Sequence, residues 1–220
     1  MTDETQPRAV MIENVKGILG AVFGDYRNYI EAQFRKLGYR PAWKLFKASD
    51  FGVPQLRPRV IFVAIKRNIA SEFSWPSVPV AKALSVGETL YDLMAENGWR
   101  GAKKWRKQAG GIAPTLVGGS TKHGGPDLGP TRAKRAWAEL GVDGHGLVDS
   151  APSPEFEGMP RLTLRMVARL QGFPDDWRFA GKKTNAYRQI GNAFPPPVGC
   201  AVARQIIGAL ETRRVVDLAG

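Results

Sequence analysis

The sequence predicts an α/β fold, with a strand–helix–strand domain carrying a second, irregular and basic one. Three observations carry that prediction. Ala9-Val10-Met11-Ile12 is a continuous apolar run too short for a helix. Tyr26 to Leu37 repeats apolar residues at helical spacing, through Tyr26, Tyr29, Ile30, Phe34 and Leu37. Val60-Ile61-Phe62-Val63-Ala64-Ile65 is a longer apolar run rich in β-branched residues. Strand, helix and strand in this order argue for an α/β sheet.

The first run reads as a strand buried on both faces, as in a parallel sheet. Glu13 and Asn14 follow at its carboxyl end, where open α/β sheets place their ligand crevices. Gly17 and Gly20 mark a loop, and Gly38 is placed to cap the helix that follows. Trp43, Leu45 and Lys47 alternate with Lys44 and Phe46, the pattern of another strand. Between it and Val60 lies an extended segment with Arg57 and Arg59 two apart, so both point to one side. Guanidinium groups there suit a phosphate, a carboxylate or a base oxygen.

From about residue 72 to 160 glycine, proline, lysine and arginine crowd in and periodicity fades. A short helix is expected within Leu84 to Met94. Lys103, Lys104, Arg106 and Lys107 surround Trp105, a pattern suited to phosphate contacts. Gly110 to Ser120 reads as a short strand bracketed by glycines that allow close backbone approach. Thr131 to Leu140 reads as a basic helix bearing Arg132, Lys134 and Arg135, and Gly141 to Gly146 as a turn. In the last third, Thr163 is the expected N-cap of a helix stopped by Gly172 and Pro174. Gly191 and Asn192 suit a turn close to a ligand, and three prolines, Pro195 to Pro197, lead into a final helix from Val198 to Leu210.

The chain has 220 residues and a formal net charge of +12, which favours a polyanionic partner. One cysteine, Cys200, excludes an internal disulfide framework and suits a reducing cytoplasm; it reads as a small packing residue. No apolar run approaches the roughly 20 residues that span a bilayer. The first residues are polar and partly acidic, unlike a signal peptide. His123 and His145, the two histidines, read as loop residues, and no metal site is expected.

Five stretches, in order, resemble the motifs of the cytosine-5 DNA methyltransferases. Glu13-Asn14-Val15 is similar to their Glu-Asn-Val motif, and Asp50 to Arg59 to their Gln-x-Arg-x-Arg motif with its lead-in. Thr115-Leu116 resembles a recurring pair at the start of the target-recognition region. Arg161 to Trp177 resembles the penultimate motif, with Met166 where a glutamate would complete a capping box, so a weaker helix start is expected. Asn185 to Pro197 resembles the closing motif.

The resemblance implies the C-terminal part of a Rossmann-like methyltransferase sheet plus a smaller, irregular target-recognition domain. It places the boundaries at 1–73 for the catalytic part, 74–178 for recognition and 179–220 for the returning segment. It implies methyl transfer from S-adenosyl-L-methionine to carbon 5 of a flipped cytosine in double-stranded DNA. Glu13, Arg57 and Arg59 would be catalytic, with Glu13 on the ring nitrogen and exocyclic amine, Arg59 on the base carbonyl oxygen, and Arg57 in support. Gly191, Asn192 and Ala193 would line the cofactor, and Lys103, Lys104, Arg106, Thr115, Leu116 and Arg132 would meet DNA. The family's glycine-rich cofactor loop and Pro-Cys nucleophile have no counterpart here. The expectation is therefore one subunit of a split enzyme, inactive without a complementing N-terminal chain that covers an apolar sheet edge. The alternative is a truncated, inactive DNA-recognition fragment. An RNA-methylating relative is disfavoured by the long glycine- and arginine-rich middle. A cytoplasmic, bacterial or phage restriction–modification setting follows from family habit.

Overall fold

The structure, a computed structural model, describes residues 1–78, 82–118 and 125–219, with side chains up to residue 212. Gly119, Ser120 and His123 lie outside the described residues. The chain forms two compact units. One comprises Met1–Lys47, Pro58–Val78 and Val198–Gly220; the other comprises Ala48–Arg57 and Pro79–Pro197. Against the boundaries expected from sequence, the second unit also takes in the link 48–57 and the segment up to Pro197. It does so because Gln55 and Arg57 make their hydrogen bonds inside it.

In the first unit a short helix α1 (Thr2–Thr5) precedes β1 (Ala9–Val15), α2 (Gly24–Lys36), β2 (Tyr39–Lys47) and β3 (Pro58–Lys66). The strand order is β1-β3-β2, and β3 is antiparallel to both neighbours. β1 and β2 therefore run parallel to each other, as a strand–helix–strand crossover requires, but β3 lies between them. The sheet is thus mixed, and the parallel neighbours suggested for the first run are replaced by an antiparallel one, β3. The link from β2 to β3 is only ten residues, 48–57, shorter than the dozen or more that a parallel crossover needs.

α2 sets Ile30, Phe34 and Leu37 against Tyr39, Phe62 and Ala64 of the sheet. Phe34 meets Phe62 edge-on with ring centres 4.9 Å apart. Gly38, at φ +83°, takes the left-handed shape that ends the helix. Tyr26 and Tyr29, which share the apolar face in sequence, stay exposed. β1 departs further from expectation. Met11, Ile12 and Val15 are exposed, because β1 is an edge strand and not one covered on both faces.

The second unit holds α3 (Val86–Ala95), α4 (Ala102–Gln108), α5 (Thr131–Glu139), α6 (Leu164–Leu170) and α7 (Lys183–Asn192). Its core joins Leu90, Trp105, Leu116, Trp137, Val167 and Ile190. No strand forms among its described residues. The segment expected as a strand after Gly110 makes only an isolated bridge, Ala113 to Gln55. α3 opens with a capping box in which Ser85 and Glu88 satisfy each other's backbone N–H. α6 opens with an analogue of it: Met166 N–H donates to Thr163 Oγ1 at 3.3 Å, and Thr163 N–H points at Met166 Sδ at 3.4 Å. A thioether is a weak acceptor, but it suits this position because Met166 is buried in the core.

α8 (Pro196–Ala219) starts at the second of the three prolines, where a missing N–H costs nothing. Val198, Val202 and Ile206 are buried on one side of it. Cys200, expected to pack, is exposed. Among the described residues no helix is long and apolar enough to cross a membrane, and no cluster could hold a metal ion.

His145 does sit in the expected turn, but in a defined ion cluster. Asp143 accepts from Arg161 Nε at 2.7 Å and lies 2.7 Å from His145 Nδ1. Burial alone would raise the Asp143 carboxyl. Hydrogen bonds from Arg161 and from the backbone and ring of His145 outweigh it and lower it from 3.8 to about 2. A depressed folded value stabilises the fold above the unfolded value and ceases to do so as pH falls through the folded one. We expect about 2 kcal/mol from Asp143 above pH ~4, lost by pH ~2. Urea midpoints of the native chain and Asp143→Asn should therefore differ near pH 5 and converge near pH 2.

Candidate active site

The antiparallel register of β1 and β3 brings Glu13 to Arg59. Glu13 lies opposite Ile61 and Val15 lies opposite Arg59, so Glu13 and Arg59 are diagonal neighbours on one face. Arg59 Nε sits 2.7 Å from Glu13 Oε1. Arg59 Nη1 donates to the Pro58 carbonyl at 2.9 Å. Burial lowers the Arg59 guanidinium below its ordinary value, while the charge of Glu13 pulls it back up; the close approach is an ion pair without the angle of a hydrogen bond. The Glu13 side chain keeps 29% of its surface open, more than twice the 13% of Arg59. The arrangement is a carboxylate oriented by a cation and still accessible from one side.

Arg57, two residues earlier, has a different task. It is fully buried in the second unit. Nη1 donates to the Leu116 carbonyl at 2.6 Å, and Nη2 to the carbonyls of Gly191 and Ala193 at 2.7 and 2.8 Å. Its guanidinium is held by main-chain oxygens, in keeping with the supporting place that the resemblance implies for it. Gln55 and Gln171, both fully buried, extend the same network and were not singled out from sequence. Gln55 Nε2 donates to Gln171 Oε1 at 2.6 Å and Gln55 Oε1 accepts the Leu116 N–H at 2.8 Å. Gln171 Nε2 donates to the Ala193 carbonyl at 2.7 Å. The signal that could have found Gln55 was its place in the Gln-x-Arg-x-Arg motif.

This network fixes the residues expected to line a cofactor. Gly191 and Asn192 end α7 and have helical backbone, so the turn expected there is corrected to a helix terminus. Gly191 is glycine because of close approach: a Cβ would lie 2.6 Å from Gly118 N and 2.7 Å from Gly118 Cα. At Gly118 a Cβ would meet only the Asn192 side chain, with Oδ1 at 2.2 Å, and that exposed side chain can turn aside. Of the three expected residues, the carbonyls of Gly191 and Ala193 are taken by Arg57, and Asn192 is exposed.

The basic residues divide similarly. α4 turns Lys103, Lys104, Arg106 and Lys107 outward, while Trp105 is buried and donates its indole N–H to the Gly141 carbonyl at 3.0 Å. Trp105 is thus core, not part of a surface cluster. Arg106 lies 5.1 Å from the Tyr91 ring centre. α5 exposes Arg132 and Arg135, and Lys134 pairs with Asp127 at 2.8 Å. Leu116, expected at the DNA surface, is fully buried, and Thr115 beside it is half-buried. Another anchor invisible in the sequence is Tyr187, whose buried hydroxyl donates to the Asp127 carbonyl at 2.7 Å.

A family model described as C-5 cytosine-specific DNA methylase matches residues 1–208. The chain belongs to this family. Among its relatives, the type II methyltransferase M.NaeI of Lentzea aerocolonigenes is 55% identical over 214 residues. The type II methyltransferase M.NgoMIV of Neisseria gonorrhoeae is 53% identical over 214 residues. Each alignment takes in 96% of this methylase-family chain, but it spans 52% of M.NaeI and 68% of M.NgoMIV. Among solved structures, a DNA modification methyltransferase encoded within a prophage of E. coli shares the fold, with a TM-score of 0.60 at 23% identity. That match covers 96% of this chain and 72% of the other.

Proposed function

We propose that this chain supplies the carboxylate, its arginine partner and the DNA-recognition unit of a type II DNA (cytosine-5-)-methyltransferase. In this reading a complementing polypeptide supplies the nucleophilic thiolate and most of the cofactor site. The observation that carries it is the Glu13–Arg59 pair, an oriented and accessible carboxylate within the Glu-Asn-Val motif of a family that methylates cytosine.

A cytosine flipped out of the duplex offers its ring nitrogen and exocyclic amine as a single edge. The Glu13 carboxyl shares a proton with the nitrogen and accepts from the amine. Arg59 holds the carboxylate in place beside that edge through their 2.7 Å ion pair. A protonated ring is a better electrophile for an incoming thiolate. With Nε on Glu13 and Nη1 on Pro58, Arg59 has further N–H groups for the base carbonyl oxygen. Asn192 would touch the cofactor, over backbone that Arg57 holds in place. S-adenosyl-L-methionine, when bound, supplies the methyl group. Lys103, Lys104, Arg106 and Arg132 are exposed cations suited to DNA phosphates, and their removal would lower affinity without changing the target sequence. Thr115 and Leu116 act by shaping the backbone that faces the bases.

The single cysteine, Cys200, is exposed on α8 and outside the recognition unit. That observation also fits the second reading, an inactive recognition fragment. Labelled S-adenosyl-L-methionine and mixed-sequence duplex DNA separate the two. The chain is assayed alone and with the part of M.NaeI that has no counterpart here. Methyl transfer in the mixture alone is expected. Transfer by the isolated chain would remove the need for a partner. No transfer in either, with DNA binding intact, would leave the recognition fragment.

A further inference from the structure

A cavity of about 430 Å³ opens in the first unit, lined by Arg35, Tyr39, Arg40, Pro41 and Arg67. It lies at the end of the sheet away from Glu13. Arg40 pairs with Ile65, and Ile65 with Ala9, four residues along β1 from Glu13. At about 3.3 Å per residue, roughly 13 Å of ladder separates the cavity from that carboxylate. The three arginines come from three places: the last turn of α2, β2, and the chain just beyond β3. None belongs to the stretches that resemble the family's motifs.

Two of the arginines are held in place. The Arg67 N–H donates to the Gly38 carbonyl at 3.0 Å, and Arg67 Nη2 to the Arg35 carbonyl at 3.2 Å. Arg35 Nη2 lies 2.6 Å from Glu31 Oε2. Cations at a helix C-terminus are ordinary, because the macrodipole favours them. That accounts for Arg67 and for Lys66, whose Nζ donates to the Leu37 carbonyl at 3.1 Å. It does not account for Arg40, which stands exposed on a strand and has no acidic partner among the described residues. The ladder adds a backbone donor. Gly38 faces Arg67 across it, so alternation turns the Tyr39 N–H away from β3, to the side where no described strand lies.

We propose that this cavity binds a phosphate monoester, with Arg35, Arg40 and Arg67 as its cations and the Tyr39 N–H as a further donor. The charge selects the ligand. Three guanidinium groups against the one carboxylate of Glu31 leave two positive charges uncompensated. A phosphate monoester carries about −2 at neutral pH and matches both. A backbone phosphodiester, with a single charge, leaves one arginine unmatched. Guanidinium forks also suit phosphate oxygens in shape. The volume falls within the roughly 300–1,000 Å³ of small-molecule sites, more than a bare phosphate fills. A free mononucleotide and the terminal phosphate of a nucleic acid present the same group. The site does not depend on the methylation chemistry at Glu13.

Calorimetry on the full chain at constant ionic strength tests it with thymidine 5′-phosphate, inorganic phosphate and thymidine. Thymine avoids the cytosine and adenine that a methylation site would take. Both phosphates should bind and thymidine should not. Arg40→Gln should weaken thymidine 5′-phosphate about tenfold or more, the loss expected for a charge-assisted hydrogen bond, with the far-ultraviolet circular dichroism unchanged. Arg132→Gln, an exposed cation of the other unit, should change it by less than about twofold. Duplexes with 5′-phosphate or 5′-hydroxyl ends then separate the sources. A preference of about threefold or more for phosphate ends that Arg40→Gln abolishes assigns a nucleic-acid terminus, and equal binding of the two duplexes assigns a free nucleotide. Equal losses in Arg40→Gln and Arg132→Gln would reduce the effect to general basicity and overturn the site. Binding unchanged in Arg40→Gln, or no binding of either phosphate at millimolar concentration, would overturn it as well.

Discussion

Arg57→Ala is expected to destabilise the second unit by about 3–5 kcal/mol, the cost of breaking a buried charged network by removing one partner. The Leu116 and Gly191 carbonyls would lose a charge-assisted donor in a buried site, while the half-buried Ala193 carbonyl would keep its bond from Gln171 Nε2. A carbonyl left unpaired in such a site costs on the order of 1–3 kcal/mol, and partial relaxation keeps the sum below the simple total. Arg57→Lys should recover less than half of the loss, because one ammonium cannot span three acceptors in the geometry of a planar fork. Urea unfolding of the chain, read by tryptophan fluorescence, measures both. A loss below about 1 kcal/mol for Arg57→Ala would mean that surrounding groups replace the guanidinium, which the fully buried network does not suggest.

The largest effect on activity is expected at Glu13. In the complemented enzyme, Glu13→Gln should lower the rate of methyl transfer by about 10²–10⁴, the usual contribution of a positioned acid or base. Glutamine keeps the shape and one acceptor oxygen but cannot share the proton. DNA binding should change by less than about threefold, since in the proposed reading the phosphate contacts fall to the exposed cations of α4 and α5. The fold should also weaken by about 1–2 kcal/mol, because Arg59 loses its partner while half-buried. An unchanged rate with unchanged binding would remove Glu13 from the chemistry.

Local pattern made the secondary structure of the first unit legible. α2 was legible in the spacing of Ile30, Phe34 and Leu37, and β3 in its β-branched run. The pairing was not, because periodicity carries no information on neighbours. That β3 separates β1 from β2 follows from a link too short to cross the sheet. Exposure of Met11 and Ile12 was hidden for the same reason: an apolar run reads alike at an edge and in a centre. In the site, Glu13 and Arg59 were named from motif likeness and the register pairs them. The different acceptors of Arg57 and Arg59 were not legible, because two arginines in one short motif look equivalent in sequence. Only burial and acceptors distinguish a guanidinium that binds main chain from one that binds a carboxylate. The burial of Leu116 and Trp105 was hidden through the same ambiguity, since a residue of a short helix or loop can face either way.

The Gln-x-Arg-x-Arg motif is divided between the two units, with Gln55 and Arg57 in one and Arg59 in the other. This bears on how such proteins can exchange specificity. A recognition unit transplanted as the continuous block 79–197 would leave Gln55 and Arg57 behind with the host. Its Leu116, Gly191 and Ala193 carbonyls would then depend on whatever side chains the host presents in their place. A productive chimera has to carry the ten residues of 48–57 with the block, although they lie far from it in sequence, and rejoin the host at Pro58. On the proposed reading of the second unit, the block that would carry target specificity is therefore discontinuous in the chain.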